Sequence, residues 1–277
     1  MNNNIIYHFT SLEAFYNIVK TGSLWAFDII KSNDPKEGKF ALECLDTVLN
    51  KSRYADKVDL SGEQWVKFRR AFLELAGDFK YPVPDYWVFC TSFCQIKNEN
   101  LIPLWQIYGD QGRGVAVCFD KEKLKKLSDV ITIEPIQYLP NDEMEQKTLE
   151  FVKQNSDNDE EKLRKALEEY YIKSFLFKRE YFEFEGEYRL FAKSMNLSKN
   201  ILCFDSIDDM VDFSFNHGRI KSYYKLPIST RNFECVSEVI LGPSCPMSIK
   251  EMIIFLDKNG CGSVYVRKAD NLIKCKE

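Results

Sequence analysis

Short apolar runs broken by polar punctuation fill the chain, and their spacing alternates between strand-like and helix-like. Asn4 to Phe9 is apolar enough for a buried strand, and Thr10-Ser11-Leu12-Glu13 follows with the spacing of a capping box. In such a box a hydroxyl and a glutamate satisfy the first free amides of a helix, so a helix is expected just after His8, with Thr10 serving its start. Leu12, Phe15, Ile18 and Val19 recur at helical spacing, and Gly22 supplies the stop. Ser23 to Phe27 reads as the next strand, and Ser32-Asn33-Asp34-Pro35 as a cap followed by a first-turn proline.

Two helices are predicted over Lys36 to Asn50 and Gly62 to Gly77, the second with an apolar stripe of Trp65, Phe68, Phe72 and Leu75. Asp85 to Phe93, rich in aromatic and β-branched residues, reads as a central strand. Pro103 to Tyr108 reads as a short helix, Gly109 to Gly114 as a glycine-rich turn and Val115 to Phe119 as a buried strand. Val130 to Tyr138 is a further strand. Asn141 to about Lys178 is a long charged helical stretch with a break at Asn155 to Asp159, the pattern of an inserted helical cap. Strands at Glu183 to Ala192, Ser222 to Ile228 and Val236 to Leu241 follow, and Ile249 to Asn259 with Val264 to Arg267 closes as helix then strand. Strand runs mixed with helices predict an α+β fold: a central, mostly antiparallel sheet, flanking helices and the charged helical insertion at about 141–178.

Composition narrows the picture further. One domain over 1–277 is expected, with 45% apolar and 29% charged residues, which is globular rather than disordered. A net charge of -4 argues against a broad electrostatic grip on nucleic acid, although a local basic cleft remains compatible with it. Met-Asn-Asn-Asn lacks the flank of a signal peptide and no run approaches the roughly 20 apolar residues of a membrane helix, so a soluble cytoplasmic protein is expected. Nine cysteines, several in apolar runs (Cys90, Cys94, Cys118, Cys203), suit buried thiols in a reducing compartment. Without a Cys-x-x-Cys pair and with only His8 and His217, no metal is expected.

Glu185-Gly186-Glu187 places two carboxylates on one side of a predicted strand, with glycine admitting a close neighbour. Paired acids that repel one another recur where a carboxylate must polarise a hydroxyl or take a proton. The plainer reading is a solvated strand face on which Arg189 pairs Glu187. Glu180, Glu183, Lys178 and Arg179 read as exposed charges. Trp105 and Tyr108, three apart on a short helix and followed by Gly109, Gly112, Arg113 and Gly114, can floor a pocket for a planar ring or simply pack as a buried pair. Phosphate-loop, dinucleotide-fingerprint, serine-elbow and zinc-protease motifs are all missing.

Tyr7-His8-Phe9-Thr10, the helix ending at Gly22, Leu24-Trp25, Asn33-Asp34-Pro35, Cys90-Thr91-Ser92, Trp105 with Tyr108, Gly112-Arg113-Gly114-Val115, Glu185-Gly186-Glu187-Tyr188-Arg189 and Leu241-Gly242-Pro243 occur in that order. Together they resemble an uncharacterised bacterial family, domain of unknown function 2971, across most of the chain. The Tyr-His-x-Thr strand and its helix are also similar to the opening of NAD-dependent ADP-ribosyltransferases of the diphtheria-toxin and poly-ADP-ribose-polymerase type. That resemblance implies NAD as co-substrate and a macromolecular acceptor, with a role in bacterial or phage conflict. It implies that His8 holds ribose, Thr10 braces the loop, Thr91 and Ser92 stand in the middle-strand element and Glu187 is catalytic, with Glu185 completing a Glu-x-Glu. Trp25, Trp105 and Tyr108 would stack the ring systems, and Arg113 and Arg189 would join the nucleotide site. Cys90 stands where the family has the first serine of Ser-Thr-Ser. A core histidine bonded to backbone explains His8 equally well. Two rival functions stay open: a non-catalytic nucleotide or metabolite-binding module, and a metal-dependent nucleic-acid-processing enzyme using Glu185, Glu187 and Asp34 around magnesium with Lys178, Arg179 and Arg189 on phosphates.

Overall fold

The computed structural model describes residues 4–29, 38–50, 54–58, 60–76, 86–95, 102–128, 131–196, 211–216, 218–228 and 233–269. The expected cap and proline at Ser32 to Pro35, and with them Asp34, Cys203 and His217, lie outside the described residues. In chain order the elements are β1 (Ile5–Thr10), α1 (Leu12–Thr21), β2 (Ser23–Asp28), α2 (Lys39–Asn50), α3 (Ala55–Val58), α4 (Gly62–Ala76), β3 (Tyr86–Cys94), α5 (Ile102–Ile107) and β4 (Val115–Asp120). Next come α6 (Lys121–Lys125), β5 (Ile131–Pro135), β6 (Gln137–Leu139), α7 (Asn141–Gln154), α8 (Glu160–Ser174), β7 (Phe177–Arg179) and β8 (Glu187–Asn196). The chain closes with β9 (Val211–Asn216), β10 (Arg219–Pro227), β11 (Val236–Leu241), α9 (Ile249–Asp257) and β12 (Tyr265–Lys268). The fold is α+β with a mostly antiparallel central sheet, as the hydrophobic patterning predicts.

Helix α1 starts one residue later than the expected box. Ser11 is the N-cap, its hydroxyl accepting the Ala14 N–H at 3.1 Å, while Thr10 stays in β1 and is buried. Thr10 therefore has no capping role, because a residue still bonded in the ladder to Val115 cannot turn its side chain onto the helix amides. At the other end Gly22 adopts φ +60, the left-handed C-cap that lets the chain reverse into β2.

Among the described residues ten strands form one sheet in the order β12-β11-β4-β1-β3-β2-β10-β9, with β8 on β3 and β5 on β8. Strand β3 is the key to the architecture. Its one edge is taken by β8, from Tyr86↔Asn196 to Cys94↔Glu187. Its other edge is shared end to end: β1 meets it at Tyr7↔Cys94, and β2 meets it at Phe27↔Cys90 and Asp28↔Phe89. The opposite edges of β1 and β2 pair with β4 and β10, and between the two anchor points on β3 a seam opens over Thr91, Ser92 and Phe93.

Among the described residues the larger apolar clusters lie against the sheet. One face packs α1 and α9 through Phe15, Ile18, Val19, Met252 and Leu256 against Phe93, Val117 and Leu190. A second cluster joins α2, α4, α7 and α8 through Leu45, Phe68, Met144, Leu163 and Leu167 to Cys90 and Phe191. Across β1 and β4, α5 contributes Leu104 and Trp105 to a smaller cluster with Phe9 and Cys118. Each fully buried side chain of this size contributes about 1.5–3 kcal/mol.

The charged stretch after Asn141 breaks where its polar run predicts, between α7 and α8, but its helix ends at Ser174 and Phe177–Arg179 returns as strand. The predicted strand over Val130 to Tyr138 divides into β5 and β6. Helices α3 and α6 and strand β9 had no expectation in the pattern. No described helix is long and apolar enough to cross a membrane, and the described cysteines are free thiols.

Candidate functional site

The seam between β1 and β2 opens a cavity of about 580 Å³, within the range of ordinary small-molecule sites. Its floor is β3. From β1 come His8 and Thr10, from β2 Trp25 and Phe27, and from β3 Cys90, Thr91, Ser92 and Cys94. Glu185, Glu187, Lys178 and Tyr108 close one end, and Ser214 and Phe215 of β9 reach the mouth. His8 and Glu187, 179 residues apart by subtraction of their numbers, thus face one space.

Side chains stitch the seam where ladder bonds stop. His8 Nδ1 donates to the Ser92 carbonyl at 2.9 Å, and Thr91 Oγ1 donates to the Trp25 carbonyl at 2.7 Å. A donor at Nδ1 fixes the neutral tautomer with Nε2 as acceptor. Burial holds His8 below the ordinary histidine range, with the Ser92 bond acting the other way. The two readings of His8 merge: it has a backbone partner and it lines the cleft.

The carboxylate end departs from the expected geometry. Glu185 is the last residue of a 3-10 turn over Glu180–Glu185, Gly186 takes φ +50 in the left-handed region, and β8 begins only at Glu187. Alternation along a strand therefore does not align the two acids. Instead Gly186 turns them toward a common cation: Lys178 Nζ lies 2.8 Å from Glu185 Oε2 and 2.7 Å from Glu187 Oε2. A side chain at 186 would put its Cβ 2.6 Å from the Gln95 carbonyl oxygen, so both φ and space require glycine.

Glu187 and Arg189 do share a face of β8 and do pair, Nε to Oε1 at 2.7 Å and Nη2 to Oε2 at 3.2 Å. The expected solvated face is corrected, however, since Glu185, Glu187 and Arg189 are all buried. Arg189 Nη1 also donates to the Phe175 carbonyl, and Tyr138 Oη accepts the Glu187 N–H at 2.8 Å. Tyr108 Oη donates to Glu185 Oε1 at 2.7 Å. Burial works to raise the Glu187 pKa, but Arg189 and Lys178 outweigh it and hold the group down at about 2. Burial first, and then the Glu185 charge, push the Tyr108 hydroxyl up, which keeps it a donor.

Trp105 and Tyr108 do not form a common floor. Trp105 is buried under β1, edge-on to Phe9 at 4.8 Å, while Tyr108 lies past the end of α5 and reaches the cleft. Arg113 is an exposed partner of Asp110 at 2.9 Å and lies outside the cleft lining, as does Arg189. Trp25 stands in the wall, stacked on Tyr223 at 4.4 Å. Its indole N–H, like that of Trp105, is buried with no partner among the described residues.

Sequence reasoning missed Tyr138, and weighed Lys178 only as a solvated charge or a phosphate contact, not as the cation shared by Glu185 and Glu187. Lys178 reads as one more solvated charge in Phe-Lys-Arg-Glu, yet it lies on the half-buried strand Phe177–Arg179, directly after the apolar run Phe175-Leu176-Phe177. Among the described residues no three His, Cys, Asp or Glu side chains are grouped to hold a metal.

Residues 104–190 match the family described as protein of unknown function (DUF2971), so the resemblance drawn from the motifs is supported over that span. The span carries Tyr108, Lys178, Glu185 and Glu187 of the cleft lining, with Tyr138 and Arg189 that bond to Glu187. No curated protein and no solved structure matches the chain.

Proposed function

We propose that the cleft cleaves NAD and passes ADP-ribose to a macromolecular acceptor, a reading that rests on the His8 and Glu187 strands and not on the matched family, whose function is unknown. The observation that carries this reading is the convergence of His8 on β1, Ser92 on β3 and Glu187 on β8, three neighbouring strands, in one cavity. Breaking the bond to nicotinamide builds positive charge on the ribose, and a carboxylate already ionised stabilises that charge without reorganising. Glu187 meets that need because Arg189 and Lys178 hold it deprotonated.

The lining suits the nucleotide. Glu13, Glu185, Glu187 and Lys178 are the charged side chains among the described lining residues, with Lys178 the one Lys or Arg. Trp25, Phe27 and Phe215 offer ring faces for stacking, and neutral His8 offers Nε2 to a ribose hydroxyl. The free thiols suit a reducing cytoplasm.

Incubation with labelled NAD and bacterial lysate tests the reading. Nicotinamide release and labelled adducts are expected, with Glu187→Gln lowering the rate about 10²–10³-fold. Absence of both products, with no thermal stabilisation by NAD, sinks it. A second reading has its own observation: the Glu187 oxygens are already engaged by Arg189 and Lys178, as in a structural ion-pair network. On that reading the cleft is a binding module, NAD or a related nucleotide stabilises the protein without turnover, and Glu187→Gln keeps the binding. For magnesium-dependent nucleic-acid processing, the described residues offer Glu185 and Glu187 already neutralised by cations, and Asp34 lies outside them.

A further inference from the structure

Helices α7 and α8 leave the sheet through β6 and return through β7. These two short strands run parallel, with Tyr138 opposite Lys178. Both side chains end on the same residue: the Tyr138 hydroxyl accepts the Glu187 N–H at 2.8 Å, and the Lys178 ammonium lies 2.7 Å from its carboxylate. A third tie comes from the end of α8, where the Phe175 carbonyl accepts from Arg189, itself paired to Glu187. Gln137 N–H to the Leu176 carbonyl, at 2.8 Å, binds the two stem strands together. Backbone, carboxylate and counter-ion of Glu187 are thus each fixed by the two ends of one helical hairpin.

We propose that the β6–β7 stem is a transmission element, in which Lys178 and Tyr138 are positioning residues that aim Glu187, so that displacement of α7 and α8 resets the cleft. This deepens the NAD-cleaving reading by naming a regulation of its site, and its effect on activity rests on that reading; the mechanical link does not. Helices α7 and α8 sit on α2 and α4 through Met144, Val152, Leu163 and Leu167, a core separate from the one beneath α1 and α9. That core touches the cleft through Cys90 but contains neither His8 nor Trp25, so a partner that presses on the hairpin reaches those two only by way of the stem or β3. The rigid connection follows from strand pairing: Tyr138 and Lys178 cannot shift independently while their backbones are bonded as a ribbon.

The groups facing Glu187 are Lys178 from β7, Arg189 from β8, Tyr138 from β6, Cys94 from β3, and Glu185, itself bonded to Tyr108. The test needs no ligand. Glutamate side chains are carbon-labelled, and the Glu187 carboxyl is assigned by its loss in Glu187→Gln. Wild type is expected to stay ionised through the acid range in which it remains folded. Lys178→Met is expected to bring a titration step upward by about one unit or more, and Lys178→Arg to restore the wild-type behaviour. Tyr138→Phe, which removes one hydroxyl, should speed hydrogen exchange at the Glu187 amide about tenfold or more relative to its β8 neighbours.

Leu163→Ala, a cavity in α8 remote from the cleft, should raise exchange at Glu187 in the same way. Val239→Ala, a cavity in the other core, should not at matched loss of stability. Equal effects from the two cavities, or an unmoved carboxyl in Lys178→Met together with unchanged exchange in Tyr138→Phe, overturn the proposal. If wild type releases no nicotinamide, the NAD reading falls while these ligand-free results still decide the link.

Discussion

Replacing Arg189 by methionine isolates the interaction that keeps a carboxylate charged inside this protein. Arg189 is 1% exposed and Glu187 5%, and the guanidinium gives Glu187 two bonds at 2.7 and 3.2 Å. Removing one partner of a buried pair costs about 3–5 kcal/mol, because the remaining charge keeps its desolvation penalty. Lys178 still stands 2.7 Å from Glu187, so the lower end, about 3 kcal/mol, is expected. At about 2–4 °C per kcal/mol for a domain of this size, the midpoint of thermal unfolding should fall by about 6–12 °C. Urea unfolding at neutral pH gives the free energy directly. Glu187→Gln/Arg189→Met should recover a substantial part of the loss, since the amide carries no charge to strand.

Acid gives the same pair a second signature. The Glu187 pKa falls from 4.5 to about 2 on folding, so its contribution is complete above pH 4.5 and is lost as pH falls through 4.5 toward about 2. A shift of that size corresponds to about 3 kcal/mol. The stability gap between wild type and Arg189→Met should therefore narrow on acidification. A gap that is under 1 kcal/mol at neutral pH, or one that does not change between pH 5 and pH 3, refutes the assignment.

The cleft and the core make opposite demands on two tryptophans. Trp105→Ala should lower stability by about 3–5 kcal/mol while NAD still raises the unfolding midpoint of the variant; Trp25→Ala should abolish that ligand-dependent rise, and the reverse pattern would put Trp105 back at the site. Gly186→Ala should cost about 1–3 kcal/mol through its φ of +50 and its 2.6 Å approach to the Gln95 carbonyl, measured by urea unfolding, with an unchanged midpoint counting against the turn.

Local periodicity made most of the sheet and helices legible. Phe15, Ile18 and Val19 announce α1 because helical spacing is set by the backbone alone. The chemistry at Glu185 was misplaced for a related reason. Strand alternation was extended through Gly186, where a left-handed residue ends a 3-10 turn and resets the face. The role of Lys178 was not legible because a half-buried cation reads like a solvated one until its two carboxylates are in place, seven and nine residues further on by subtraction of the residue numbers. The separation of Trp105 from Tyr108 depends on where α5 stops, and boundaries are the weakest part of any pattern. His8 was singled out by resemblance, yet its bond to Ser92 joins residues 84 apart, beyond the reach of any local rule.

The shared edge of β3 limits how the lining of this cleft can change. Because two strands divide one edge, His8 and Thr91 substitute for rungs that the ladder lacks, and a variant that trims either loosens the sheet as well as the pocket. Phe27 and Phe215 line the same space without such a duty among the described hydrogen bonds. Redesign of the pocket is therefore steered along one route: its shape can be altered through the aromatic wall at Phe27 and Phe215, while His8 and Thr91 are tied to the architecture that opens the space.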